Sequence, residues 1–486
     1  MIRLSKSKLM SALQCPKRLY LEVRHPELLE FSESAERAFA VGNEVGEAAR
    51  RAYQAGELIA TKDPELSLSE TTAAFSRSGN FAIFEAAFLH GTVLIRADII
   101  AKLRGRYHLA EVKSSTELKP HFLNDVAIQK WVIEGSNVPL QSSQLWHIDK
   151  TFTYSGDGDY RGLFKKEDVT EETASLLETI PRLVADSQKI LAGDTPEVAM
   201  GPHCHEPYDC PFLSHCSPPQ AEYPVDILPY GGNLLKQLIA DGYQDLRDVP
   251  GNLLTKDHHM RVWRSTMSGN AEVSPEAATA LRTLPFPRYY LDFETIQFAV
   301  PIWAGTRPYQ QLPFQWSCHV ECEGGRLAHI EFLAEGKEAP MRGFAESLIK
   351  AVKGSGPIMV YSHFEKTVLR SLAERFPDLD APLGKIINRL FDLYSFTQAH
   401  YYHPAMKGSW SIKAVLPTIA PEMGYQHLGE VQDGGGAQDA YREMISEKTT
   451  PERRELLANS LKTYCGHDTL ALVELARFFE ERRRKG

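Results

Sequence analysis

Apolar residues recur at helical intervals between Glu36 and Ala52, and the spacing predicts a helix there. From Phe81 to Ile100 the pattern turns β-like, with apolar runs such as Val93-Leu-Ile95. A short basic turn containing glycine, Leu103-Arg-Gly-Arg106, separates this stretch from Tyr107 to Lys113, which reads as the returning strand of a hairpin. Asn124 to Gly135 reads as a helix. The Pro-rich run Ser217-Pro-Pro-Gln-Ala-Glu-Tyr-Pro224 marks one boundary, and Leu284-Pro-Phe-Pro287 marks a second. Between them, from Gly231 to Ala280, the pattern is helical with no evident strand. Beyond the second boundary, Arg288 to Phe293 and Ile358 to Tyr361 read as strands, and Glu365 to Phe376 and Glu455 to Glu480 as helices. No internal repeat or low-complexity segment interrupts this order.

The expected organisation is therefore a multidomain α/β chain with a first domain over 1–222, a helical connector over 223–285 and a last domain over 286–486. A length of 486 residues suits about two to four domains. The formal net charge of −9 argues against passive coating of nucleic acid, which needs a basic footprint. It is compatible with an enzyme that carries acidic metal ligands and a local basic track. Basic residues do cluster, at Lys102-Arg104-Arg106, Arg261-Arg264 and Arg482-Arg483-Arg484-Lys485, although each is equally well a solvated patch. The N-terminus lacks an apolar leader, and no apolar run is long enough to span a bilayer, so a cytoplasmic protein without a membrane partner is expected.

Two pieces of chemistry stand out in the first domain. Ile95-Arg-Ala-Asp98 lies on one predicted strand and Ala110-Glu111-Val-Lys113 on the next. Residues i and i+2 of a strand share a face, so Glu111 and Lys113 project together and Asp98 can meet them across the hairpin. Two carboxylates can hold a divalent ion that activates water, and a lysine can orient that water or stabilise phosphate charge. The arrangement resembles the RecB-like branch of the PD-(D/E)xK nucleases, of restriction-endonuclease-like fold. The resemblance implies a role for Gln129 on the following helix. It departs from that family at Ile133, where an aromatic residue is usual, and at Gly46, where relatives carry a histidine ligand; Glu44 or Glu85 are the alternatives. Taken alone, Glu-x-Lys is more often a charged surface hairpin.

The seven cysteines change that weight. An odd number in a large chain does not suggest a disulfide framework. Cys15 is followed much later by Cys204, Cys210 and Cys216, and four thiolates suit an iron–sulfur cluster or a structural zinc. Among these four, the close Cys-x₂₋₄-Cys pair common in zinc sites is missing. The split pattern is similar to the iron–sulfur RecB-like nucleases, including the AddB nuclease domain and the nucleases of CRISPR adaptation. That likeness implies a [4Fe-4S] cluster on these four cysteines that staples the two ends of the domain. Zinc, with His203, His205 or His215 nearby, is the lesser alternative.

In the last domain, Asp292-Phe-Glu294 ends a predicted strand, and Tyr464 and Asp468, four apart on a predicted helix, share a face. Carboxylates that clamp two ions and a tyrosine that positions water are what a two-metal nuclease needs. The set resembles the tyrosine variant of the DEDD exonucleases, of ribonuclease-H-like fold. His467 does not fit the histidine variant, whose position holds Thr463. The second motif aligns with Tyr361-Ser-His-Phe-Glu365, with Glu365 in place of Asp; Asp392 is the rival. Gly408-Ser-Trp-Ser-Ile-Lys413 resembles a motif of predicted RecB-family proteins that fuse both modules, and Lys413 is a candidate phosphate contact. The stretch from Leu234 to Gly251 faintly resembles a helix–hairpin–helix, though a plain connector reads slightly better.

Together these imply a nuclease, a DNA exonuclease foremost, with Mg²⁺ or Mn²⁺ at both centres, acting in DNA repair, recombination or defence against foreign DNA. An RNA exonuclease, a nucleic-acid-binding protein with one or both centres inactive, and a redox sensor built on the cluster are the alternatives. No Gly-x₄-Gly-Lys-Ser/Thr loop is present, so any unwinding motor would be a helicase partner.

Overall fold

The computed structural model describes residues 2–481. The basic run Arg482-Arg483-Arg484-Lys485 lies outside the described residues. The chain is a mixed α/β protein of two compact units, one formed by Met1–Pro218 with Phe298–Gln310, the other by Pro219–Gln297 with Gln311–Gly486.

The first unit is built on a seven-stranded sheet. Its strands are β1 (Leu4–Ser5), β2 (Gly56–Leu58), β3 (Phe81–His90), β4 (Val93–Leu103), β5 (Arg106–Lys113), β6 (Leu140–Ile148) and β7 (Phe164–Asp168), in the order β2-β3-β4-β5-β6-β7 with β1 beside β4. The β4–β5 hairpin closes through Arg104 (φ +50) and Gly105 (φ +80). Two left-handed residues are what a two-residue turn needs to match strand twist, which is why this basic, glycine-containing turn forms here. β5 and β6 are parallel, joined by the helix Pro120–Gly135. That helix is buried nearly all round: Phe122, Val126, Ala127, Ile128, Val132 and Ile133 join the main core. Ile133 thus fills core volume where an aromatic residue was expected.

Ile95 and Ala97 of β4 face the main core, whereas Ile99 and Ala101 face the cluster around Phe84 and Trp146. The faces switch at Asp98, opposite Glu85, whose left-handed backbone (φ +56) costs on the order of 1 kcal/mol. The switch puts Asp98 on the same side as Ile100, the side of Leu109 and Glu111.

The second unit holds a five-stranded sheet in the order β11-β10-β9-β12-β13, with β9 (Arg288–Ile296) central, β10 (Leu312–Glu321), β11 (Leu327–Leu333), β12 (Ile358–Val360) and β13 (Leu390–Asp392). β9 runs antiparallel to β10 and parallel to β12. Residues 223–285, read as a connector, share the core of this unit: Leu246, Val249 and Val262 pack in one cluster with Tyr290 and Leu475. They also supply a strand the pattern did not show, β8 (Glu272–Val273), paired with β14 (Tyr401–Tyr402). Two residues are too few for an alternating pattern to register.

The helix Pro451–Glu481 lies against β9 and β10. Arg288, buried at the start of β9, fixes their relation by donating to Glu480 Oε1 (2.6 Å) and to the Leu281 and Leu284 carbonyls. Among the described residues no helix is long and apolar enough to cross a membrane.

Candidate functional site: two buried carboxylate clusters and a four-cysteine pocket

In the first unit Glu111 is buried and Lys113 half-buried, as their shared strand face predicts. Lys113 Nζ lies 2.7 Å from Glu111 Oε1, and Gln129 Nε2 donates to Glu111 Oε2 at 2.7 Å. Asp98 Oδ2 accepts from the Val112 backbone N–H at 2.8 Å. Burial, and then the Glu111 charge, push the Asp98 carboxyl up to about 8.

Two further residues complete this cluster. Asp125, one turn before Gln129, sits 2.5 Å from Lys113 Nζ. Lys6, in the first turn of the helix Lys6–Gln14, reaches Glu111 Oε1 at 2.8 Å and Asp125 Oδ1 at 2.9 Å. Burial opposes both lysine charges, but Asp125 and Glu111 outweigh it and hold both ammonium groups above their ordinary value. Asp125 is held below its ordinary value by Lys6 and Lys113 against its own desolvation. Glu111 and Asp125 are thus neutralised from within. Of the alternatives for the missing histidine, Glu85 pairs with Arg96 (3.6 Å), and the charge of Glu44 acts on the Tyr160 and Tyr309 phenols. Space around Gly46 is open.

The four cysteines line one pocket with Arg18, His203 and Phe212. Cys15 is the residue between the helices Lys6–Gln14 and Pro16–Arg24. Gln14 Nε2 donates to the carbonyls of His203 (2.8 Å) and Tyr208 (2.7 Å), clasping the distant loop to this junction. The Cys210 N–H donates to the Cys204 carbonyl at 2.8 Å, folding the loop on itself. Burial raises the Cys210 thiol, and Cys15 and Cys216 act on it in the same direction. His203 Nε2 stands 3.7 Å from Cys204 Sγ.

In the second unit, Asp292 and Glu294 of β9 meet Cys465 of the long helix, with one ligand atom of each within 4.8 Å of the others, a group that could hold a metal ion. Asp468, one turn on, and Glu365, in the first turn of the helix Phe364–Arg375, lie near enough for their charges to act on Asp292. Burial, then Asp468, Glu294 and Glu365, drive Asp292 well above the carboxylate range. Burial and Asp468 push Glu294 up to about 8, and burial pushes Glu365 up to about 7. Asp468 is also raised by burial, which the Tyr425 and Tyr464 phenols partly offset. None of the four has an ion-pair partner among the described residues. Carboxylates this close together in a largely desolvated site do not all ionise readily, which is the electrostatic setting a bound metal ion would relieve.

Tyr425, which no motif indicated, donates to Asp468 Oδ1 at 2.5 Å. Burial and Asp468 raise the Tyr464 and Tyr425 phenols far enough that both stay protonated. Lys413 Nζ lies 5.2 Å from the Tyr425 ring centre and 5.6 Å from that of Tyr464, and its charge reaches Glu294 and Asp468. Asp392 instead caps the helix Leu393–His400, accepting from Tyr394 N (2.9 Å) and Ser395 N (3.2 Å). Thr463 is exposed, and His467 Nε2 turns to the Met423 carbonyl. Away from the clusters, Arg261 and Arg264 pair with Glu272 and Lys102 lies over Phe81 and Tyr107, so these basic groups are engaged locally.

A protein-family model described as a domain of unknown function, DUF2779, matches residues 289–411, a stretch that holds Asp292, Glu294 and Glu365. An uncharacterized protein, UU173, of Ureaplasma parvum serovar 3 is 23% identical over 281 residues, covering 53% of this chain and 40% of that protein. The match therefore spans well under half the length of that relative. The crystal structure of SSO0001 aligns with a TM-score of 0.24 at 17% identity, covering 44% of this chain and 85% of that one.

Proposed function

We propose that the chain is a metal-dependent nuclease that hydrolyses phosphodiester bonds, with a DEDD-type exonuclease centre at Asp292, Glu294, Glu365 and Asp468. One observation carries this reading: Asp292 and Glu294 lie close enough together to hold a metal ion, and the carboxylates of Asp468 and Glu365 act on them, beside two protonated phenols and a lysine. Divalent Mg²⁺ or Mn²⁺ bound there would lower the pKa of water and neutralise charge on the phosphoryl group. The chain's own groups do the positioning. Tyr464 stays a hydrogen-bond donor and orients the attacking water. Tyr425 fixes the rotamer of Asp468. Lys413 faces the phosphate. Glu365 adds a methylene to the usual aspartate, and its burial in the first helical turn keeps that carboxyl at the site. The sheet order with β9 central is consistent with a ribonuclease-H-like domain.

The first centre we assign to the PD-(D/E)xK type, of restriction-endonuclease-like fold, with Asp98 and Glu111 as ligands and Lys113 and Gln129 ordering them. Here a second reading has its own support. Lys6 and Lys113 already occupy Glu111 and Asp125, so a divalent ion must displace an ammonium group, and this centre is suited to binding a strand as well as to cutting it. The four cysteines in one pocket, without a Cys-x₂₋₄-Cys pair, favour a [4Fe-4S] cluster over zinc. DNA is the favoured substrate and RNA the alternative, in repair, recombination or defence, with a helicase supplying any unwinding.

The test is cleavage of end-labelled DNA and RNA with Mn²⁺ or Mg²⁺. Progressive trimming that Asp292→Asn abolishes is expected. Trimming that survives Asp292→Asn refutes the exonuclease assignment.

A further inference from the structure

Outside both clusters, the first unit carries an open groove of about 590 Å³ lined by Ser114, Ser115, Thr116, Glu117, Lys119, Lys150 and Arg307-Pro-Tyr-Gln310. Three features set it apart from an ordinary polar surface. It begins where the first centre ends, since Ser114 follows Lys113 directly and Lys119 caps the helix that carries Asp125 and Gln129. Its charge is uneven, with three cations against one carboxylate. Lys119, Lys150 and Arg307 are exposed, and none has an acidic side chain within 4.0 Å among the described residues. In a chain of net charge −9, three free cations together are notable.

The third feature is the origin of one wall. Residues 298–310 lie in sequence between β9 and β10, neighbouring strands of the five-stranded sheet, yet they belong to the first unit. Ala299 and Val300 are buried with Val45, Ala48, Ile148 and Leu163. Tyr154 exchanges backbone hydrogen bonds with Thr306 (3.0 Å) and Gly305 (2.7 Å), and Tyr160 Oη donates to the Pro301 carbonyl (3.1 Å). Tyr309, with a left-handed backbone (φ +57), donates its hydroxyl to the Ser114 carbonyl at 2.5 Å. That bond pins Arg307 beside the residue that follows the catalytic lysine. A strained, firmly anchored loop that only fills space would not need to end in a free guanidinium at the mouth of a phosphate-cleaving centre.

We infer that this groove binds the phosphodiester backbone of a nucleic-acid strand engaged by the first centre, with Lys119, Lys150 and Arg307 contacting successive phosphates. The inference rests on the nuclease reading and adds the path of the substrate. It also makes the β9–β10 loop a substrate-binding element of the first unit.

The experiment measures binding of fluorescent single-stranded DNA and RNA oligonucleotides to the full chain, without divalent metal, across a salt series. Each phosphate contact on a single strand contributes about 0.7 to the slope of log affinity against log salt. The triple variant Lys119→Gln, Lys150→Gln, Arg307→Gln should lose about 2 from that slope and bind at least about tenfold more weakly at low salt. Arg307→Gln alone should lose about 0.7. Arg104→Gln with Arg106→Gln, at the hairpin tip, should leave the slope unchanged. Loss on both polymers identifies the shared backbone as the ligand, and loss on one identifies that polymer as the substrate. A wild type that binds and cleaves, with an unchanged slope in the triple variant, overturns the groove and leaves the nuclease reading standing. A wild type that neither binds nor cleaves either polymer overturns both.

Discussion

Glu294→Gln should stabilise the protein when metal is absent. Glu294 is 7% exposed, faces Asp468 and Glu365, and ionises near 8 instead of its ordinary 4.5. The native state therefore holds a proton that the unfolded chain releases. Stability is complete below about 4.5 and is lost as pH rises toward about 8. At pH 7 the loss is about 3 kcal/mol, each pH unit being worth about 1.4 kcal/mol. The amide has the shape of the protonated acid and carries no such cost. For a unit of this size, 1 kcal/mol moves Tm by about 2–4 °C, so the variant should melt roughly 6–12 °C above wild type in chelator at pH 7. By pH 5 the difference should shrink below about 1 kcal/mol. Saturating Mn²⁺ should raise the wild-type Tm strongly and the variant's little, because the variant lacks one ligand charge. Calorimetry with chelator and with Mn²⁺, at pH 5 and 7, measures all four quantities. A variant no more stable than wild type at pH 7, or a gap that persists at pH 5, would refute the claim that uncompensated carboxylates meet here.

Three other outcomes follow from the same geometry. Lys6→Met leaves Glu111 and Asp125 with one ammonium fewer; breaking a buried pair of this kind costs about 3–5 kcal/mol, read as a lower metal-free Tm, and Mn²⁺ binding should tighten by calorimetric titration. Cys210→Ser should abolish iron and sulfide in anaerobically purified protein; stoichiometric zinc in the wild type would reject the cluster. Mn²⁺ binding at the second centre should tighten as pH rises from 6 to 8 and release protons, because Glu294 and Glu365 ionise near 8 and 7; titration in two buffers of different ionisation enthalpy measures that release.

What the sequence made legible was local. Glu111 with Lys113, Asp292 with Glu294 and Tyr464 with Asp468 are each pairs within one element, where strand or helix period alone fixes the shared face. The hairpin that carries Asp98 was legible from its turn. Partners from distant elements were not. Lys6 reaches Glu111 across 105 residues of sequence and Tyr425 reaches Asp468 across 43, and neither follows a period. Cys465 lay between two residues already singled out, yet a buried thiol in a helix reads as core. Residues 298–310 fall within the last domain by chain order, and nothing in their local pattern signals that they pack on the first unit. Asp392 matched a motif by spacing, while its capping bonds depend on where the helix starts.

The most direct measurement is product analysis on end-labelled single- and double-stranded DNA and RNA with Mn²⁺, comparing wild type, Lys113→Ala, Asp292→Ala and the double variant. Two working centres predict that each single variant loses a different set of products and that the double variant is silent. Full activity in the double variant, or a wild type silent on every substrate, would contradict the assignment of these clusters as nuclease centres.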